Sequence, residues 1–197
     1  MRYFIILLFL INSNLNFSQN EEYSINILAN TSVAGKKFEI KIVKEKTQAK
    51  IILSQLDSTS KRSVEDNSKM DSIRTEILRN DRRIPNDIYD IVDSIKRKYE
   101  HYSRDSIIID RSSPIINIIN SVYQASNEEL ENHKGHGLDG TTVIVDIRDN
   151  VSFRRIGAWS PGEDSNTLIY NLMTGILGYY RTQNPKILKT KIETTGY

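Results

Sequence analysis

The sequence predicts an α+β protein: an antiparallel sheet, made of an N-terminal meander and a C-terminal hairpin, packed with about four helices. Three observations carry this. Apolar and polar residues alternate through residues 23–29, 37–42 and 49–53, the period of strands with one wet face. Two further β-type runs, residues 142–147 and 151–159, flank Asp149-Asn150, a hairpin signal. Between and after these runs the apolar spacing becomes helical, and the order is not the repeated βα alternation of a doubly wound fold.

The first residues address the compartment. Arg2 precedes an unbroken apolar run at residues 3–11, then a polar stretch at residues 12–19 with Ser13 and Ser18. That is the layout of a secretory signal peptide. The run is roughly half the ~20 residues a membrane span requires, so cleavage near residues 18–20 is expected, with residues 1–19 removed. Residues 20–197 are then expected to form a single domain, exported to the periplasm or the extracellular space, with no stable membrane span. The absence of cysteine excludes disulfides, thiol catalysis, cysteine-ligated zinc and lipid attachment through an N-terminal cysteine.

In the meander, Phe38, Ile40 and Ile42 alternate with Lys37, Glu39 and Lys41, and a loop around residues 30–36 offers Gly35 for a positive backbone angle. The polar, serine-rich residues 57–69 read as a loop or linker. Met70, Ile73, Ile77 and Leu78 then share a helical face that ends at Pro85. Ile88, Ile91, Val92, Ile95, Tyr99 and Tyr102 predict one continuous second helix. Residues 107–109 are a strand or a buried connection. Ser113-Pro114 starts a third helix with Ile115, Ile116, Ile118, Ile119, Val122 and Tyr123 on its apolar side, and the acidic residues 127–132 read as its fraying end.

After Pro161-Gly162, a helix starting near Asp164 or Ser165 carries Leu168, Ile169, Leu172, Met173, Ile176, Leu177 and Tyr180. Gly175 and Gly178 lower its helicity by roughly 1 kcal/mol each relative to alanine and would permit close approach to a strand. Pro185 stops it, and Ile187 and Ile192 alternate like a strand in a basic tail. For the hairpin, a two-residue loop at Asp149-Asn150 sets Asp146 against Phe153. A three-residue loop reaching Val151 sets Ile147 against Phe153 and Asp146 against Arg154. The second pairs like with like and opposite charges, each for ~0.2–1 kcal/mol, and is preferred.

The candidate polar site comprises His133, His136, Asp139, Asp146, Arg148, Arg154 and Trp159. His133, His136 and Asp139 are suitable divalent-metal ligands, but glycines 135, 137 and 140 argue against the helix that would align them, so a solvated loop without metal is the favoured reading. Asp146, Arg148, Asp149, Arg154 and Arg155 are of the types that serve as general acid and base or clamp an anion. Cross-strand ion pairs on a wet sheet face explain them more simply. Trp159 would stack on a sugar or aromatic ligand, or else plug the sheet end. Asp-Ser-Ile at Asp71, Asp93 and Asp105 matches tripeptides that carry sugars in some secreted bacterial proteins, and helix capping accounts for it as well.

No nucleophile elbow, phosphate-cradling loop or His-Glu-x-x-His occurs, and no cofactor is implied. A net charge of +2 without a basic-aromatic motif excludes a nucleic-acid partner. Gly137-Leu138-Asp139-Gly140-Thr141, a β-run, and Trp159-Ser160-Pro161 together resemble a block in small uncharacterised secreted bacterial proteins. The resemblance implies export and a shared hairpin–helix module, and it brings no assigned activity. The resulting expectation is an exported, non-enzymatic binding module for a protein or small-molecule ligand. The alternative is a small periplasmic or extracellular hydrolase, possibly metal-dependent, using His133, His136, Asp139 and Asp146.

Overall fold

A computed structural model of the chain describes residues 22–31, 36–79, 86–131 and 140–190, without the side chains of Asn86, Asp87, Tyr89 and Asp90. The expected signal segment, His133, His136 and Asp139 lie outside these residues. The fold class is α+β: a six-stranded antiparallel sheet with five helices. The strands are β1 (Tyr23–Thr31), β2 (Lys37–Lys44), β3 (Gln48–Thr59), β4 (Glu100–Asp110), β5 (Thr141–Arg148) and β6 (Phe153–Trp159). The helices are α1 (Val64–Arg79), α2 (Asn86–Arg97), α3 (Pro114–Gln124), α4 (Asn127–Leu130) and α5 (Thr167–Arg181). Strand order is β4-β3-β2-β1-β5-β6, so the meander and the hairpin meet where β1 pairs with β5.

The described residues fall into two compact units, one of those up to Gln55 together with those from Arg104, the other of those between Leu56 and Ser103. In the larger unit, strict alternation sorts the strands into two faces. Ile25, Ile27, Phe38, Ile40, Ile42, Ile51, Leu53, Val143, Val145 and Ile156 point to one side and form a continuous core with α3 and α5. At ~25 cal/mol per Å² of apolar surface removed from water, this burial is the main stabilising contribution. Helix α3 supplies Ile115, Ile116, Ile119 and Val122, and α5 supplies Ile169, Leu172, Met173, Ile176, Leu177 and Tyr180. Gly175 admits α3 rather than a strand: a Cβ there would lie 3.2 Å from Ile118 Cδ1.

Several local expectations change. Residues 127–130 are a separate helix, α4, because Ser126 and Glu129 form a reciprocal capping box that restarts the chain, and Leu130 is buried. Helix α5 begins at Thr167 after Asn166, which takes a left-handed angle (φ 50°). Residues 186–190 form no strand, with Ile187 and Leu188 consecutive and both buried, and Ile192 lies outside the described residues. In the smaller unit, β3 runs to Thr59 and α1 begins at Val64, which shortens the polar connector to residues 60–63. Ser63 Oγ accepts the Asp66 N–H at 3.1 Å and so starts α1 earlier than its apolar face indicates.

No residue of α1 is buried, and Leu78 is 77% exposed, so Leu78 does not share the face of Met70, Ile73 and Ile77. Helix α2 stops at Arg97 and Tyr102 belongs to β4. Tyr99 leaves the helical stripe to donate to Asp66 Oδ2 at 2.7 Å, which holds the Asp66 carboxyl below its usual range. The Asp-Ser capping reading fails as well: Asp71 and Asp93 lie inside α1 and α2, and Asp105 lies in β4.

Candidate functional site

The hairpin turns over Asn150-Val151, one residue beyond the expected Asp149-Asn150. The Asp149 carboxylate causes the shift. Its Oδ1 accepts the backbone N–H groups of Val151 (2.7 Å) and Ser152 (2.6 Å), and its Oδ2 accepts the Ser152 hydroxyl at 2.9 Å. The Asp149 N–H donates to Ser152 O at 3.1 Å and closes the strands. Tyr123 of α3 donates its hydroxyl to Oδ2 at 3.0 Å and stacks on Tyr23 with ring centroids 3.9 Å apart. These donors, the Val151 and Ser152 amides foremost, hold the Asp149 carboxyl down at about 2. Asp149 is a turn and docking residue.

The shifted turn decides which arginine meets which partner. Asp146 pairs with Arg155, Ile147 with Arg154 and Arg148 with Phe153, so neither predicted register holds. Arg155 forks onto Asp146, Nε to Oδ1 at 2.7 Å and an η-nitrogen to Oδ2 at 3.0 Å. Arg148 and Arg155 lie 5.1 and 5.8 Å from the centroid of the exposed Phe153 ring. Both Asp146 oxygens are thus engaged by one guanidinium, the bidentate geometry that fixes an arginine–carboxylate pair in place.

Arg154 points the other way, beneath the sheet. It donates to Tyr123 O at 2.5 Å, Ala125 O at 2.6 Å and Asn127 Oδ1 at 3.4 Å. The first two are main-chain carbonyls left open where α3 ends, and Arg154 closes them. It leaves the candidate polar site and becomes a structural residue. Trp159 ends β6 with its ring against Gly140: a Cβ at Gly140 would lie 2.9 Å from Trp159 Cε2 and 2.3 Å from Ser160 Oγ. Ser160, at φ 44°, accepts the Thr141 N–H on its hydroxyl at 3.0 Å and fixes this corner.

The outward face of the sheet is assembled from rows across four strands. Lys41, Asn26, Asp146 and Arg155 form one row, and Glu39, Leu28, Ile144 and Gly157 form the next. Beyond them stand Lys37, Asn30, Thr142 and Trp159. Lys41, Thr142, Arg155 and Gly157 are exposed, and Leu28 and Ile144 are half-buried outside the helix-covered core. A Cβ at Gly157 would meet nothing within 4 Å, so the face carries a notch there, bounded by Ile144 across the ladder and by Arg155 and Trp159 along β6. Of the predicted site residues, the structure gathers Asp146, Arg148 and Trp159 on this face and moves Arg154 away.

No group of three His, Asp or Glu residues suited to a metal occurs among the described residues. A second polar cluster escaped sequence reading: Gln55 of β3, Asp105 of β4, and Tyr180 and Arg181 of α5, gathered around residues 186–190. Tyr180 was visible only as part of an apolar stripe, and nothing in the spacing from Asp105 to Tyr180 signals their contact. No protein-family model, curated protein or solved structure matches the chain.

Proposed function

We propose that this chain is an exported, non-enzymatic binding module that engages its ligand on the outward face of the sheet. The observation that carries the reading is the two-sidedness of β1, β5 and β6. One side is packed with isoleucine and valine under α3 and α5. The other presents a notch at Gly157 flanked by apolar Ile144 and Leu28, a row of charged and amide side chains, and an indole at its rim. Apolar surface beside a few placed polar and aromatic groups is a feature of ligand sites. Export is supported by the sequence of residues 1–19. No helix among the described residues is long and apolar enough to cross a membrane.

The test compares the chain with an Ile144→Arg, Gly157→Arg variant, in which both new side chains project from the outward face. Each is immobilised and exposed to glycans and secreted polypeptides, with circular dichroism and Tm confirming the fold. Trp159, the only tryptophan, reports binding by fluorescence. The expected result is a ligand retained by the unmodified chain and weakened at least about tenfold, or ~1.4 kcal/mol, in the variant. Equal retention by both, or by neither, refutes the proposal.

A further inference from the structure

Residues 186–190, which follow α5, are held in an unusual way. Their backbone is gripped by side chains and not by a neighbouring strand. The N–H of Lys186 donates to Asp105 Oδ2 at 3.1 Å and to the Tyr180 hydroxyl at 3.2 Å. The Ile187 N–H donates to the same hydroxyl at 3.2 Å, and the Leu188 N–H to Gln55 Oε1 at 3.0 Å. Arg181 donates Nε to Leu188 O at 3.1 Å and an η-nitrogen to Thr190 O at 3.2 Å. Tyr180, fully buried, donates its hydroxyl to Asp105 Oδ2 at 2.7 Å.

Four side chains from β3, β4 and α5 thus read three amides and two carbonyls of a five-residue segment. Main-chain hydrogen bonds for affinity, with side-chain pockets for specificity, are a common mode of peptide recognition, and here the segment is bent, so that the consecutive amides of Lys186 and Ile187 reach one hydroxyl. Ile187 and Leu188 fill the apolar part of the groove. Within the segment Leu188 takes φ 46°, a left-handed angle that a bulky side chain disfavours. Strain in the occupant favours its release. The Tyr180 hydroxyl, followed by the backbone N–H groups of Lys186 and Ser106, holds the Asp105 carboxyl below its usual range.

We infer that Gln55, Asp105, Tyr180 and Arg181 form a peptide-binding groove that the chain's own residues 186–190 occupy in cis. In trans the groove takes a peptide bent in the same way, with a basic residue followed by two aliphatic ones. The tethered segment competes at an effective concentration on the order of millimolar, so the groove is self-blocked until that segment is displaced. The groove lies on the helix-covered side of the sheet and is independent of the outward face proposed above.

The test uses the full chain carrying Ile187→Ser and Leu188→Ser, which removes the apolar anchors and leaves all four gripping residues. A fluorescein-labelled peptide of residues 184–190 (Asn-Pro-Lys-Ile-Leu-Lys-Thr) is titrated by anisotropy. The expected result is binding at least about tenfold tighter to this variant than to the unmodified chain, weakened again about tenfold by Tyr180→Phe, as loss of a buried hydrogen-bonding hydroxyl predicts. A folded double variant that ignores the peptide overturns the inference. So does a double variant that fails to fold, because residues 187 and 188 are then core and not ligand. Hydrogen exchange on the unmodified chain gives an independent reading. The amides of Lys186, Ile187 and Leu188 should exchange through a local opening before those of β1 and β5, and exchange only with global unfolding refutes the groove.

Discussion

Arg154 and Arg155 are adjacent in sequence and opposite in role, and replacing each by methionine separates the two. In Arg154→Met the α3 carbonyls of Tyr123 and Ala125 lose their donors, at 2.5 and 2.6 Å in the native chain. Hydrogen bonds to a charged group contribute ~1.5–3 kcal/mol each. Arg154 is half-buried, so water recovers part of that loss, and the expected destabilisation is ~2–3 kcal/mol. For a chain of this size that lowers Tm by ~5–10 °C. Arg155 sits in an ion pair whose guanidinium side is 50% exposed, and such pairs are worth ~0.2–1 kcal/mol. Methionine preserves the packing of the aliphatic stem in both variants. Guanidinium denaturation followed by Trp159 fluorescence and far-ultraviolet circular dichroism measures both. If Arg155→Met proves as costly as Arg154→Met, the assignment of the two arginines to opposite faces is wrong, and with it the hairpin register.

Gly140→Ala should destabilise by ~1–3 kcal/mol through overpacking, because the new methyl would lie 2.3 Å from Ser160 Oγ; a red-shifted Trp159 emission should accompany the loss. Gly157→Ala, whose Cβ meets nothing within 4 Å, should stay within ~0.5 kcal/mol, and a large loss there would mean the notch is filled. The Asp149 carboxyl is lowered from 3.8 to about 2, so its contribution to stability is fully present above pH 4 and is lost as pH falls toward 2. Tm measured between pH 5 and 2 should therefore fall less in Asp149→Ala than in the native chain; parallel curves would show that the turn does not depend on this charge.

Strands β1, β2 and β5 were legible because buried and outward side chains alternate along their whole length, whereas β4 was not, since its burial pattern is irregular. The meander of β1, β2 and β3 and the β5–β6 hairpin follow from that period. Register was not legible, because it depends on one carboxylate. Both predicted turns treated Asp149 as a tip residue, whereas its side chain captures the amides of Val151 and Ser152 and moves the tip by one position. With a period of two, that step exchanges Arg154 for Arg155 opposite Asp146. Helix ends were misread for a related reason. Tyr99 and Tyr102 fit the helical stripe of α2, yet a hydroxyl bond to Asp66 and membership of β4 claim them instead.

The same logic explains why the candidate site shrank on one face while a different one emerged beneath the sheet. Charge density along the hairpin marked residues by type, and type does not report direction. Arg154 and Arg155 scored alike, but one closes a helix and the other faces solvent. The cluster at Gln55, Asp105, Tyr180 and Arg181 has the opposite signature: four unremarkable residues spread over β3, β4 and α5, joined only because antiparallel pairing and the crossing of α5 bring them to one place. What marks that cluster is the set of backbone groups it satisfies on a segment with no strand partner and with a left-handed angle at Leu188. Side chains that satisfy another segment's main chain are indifferent to which chain supplies it. For that reason we infer ligand chemistry for the groove beneath the sheet in addition to the outward face.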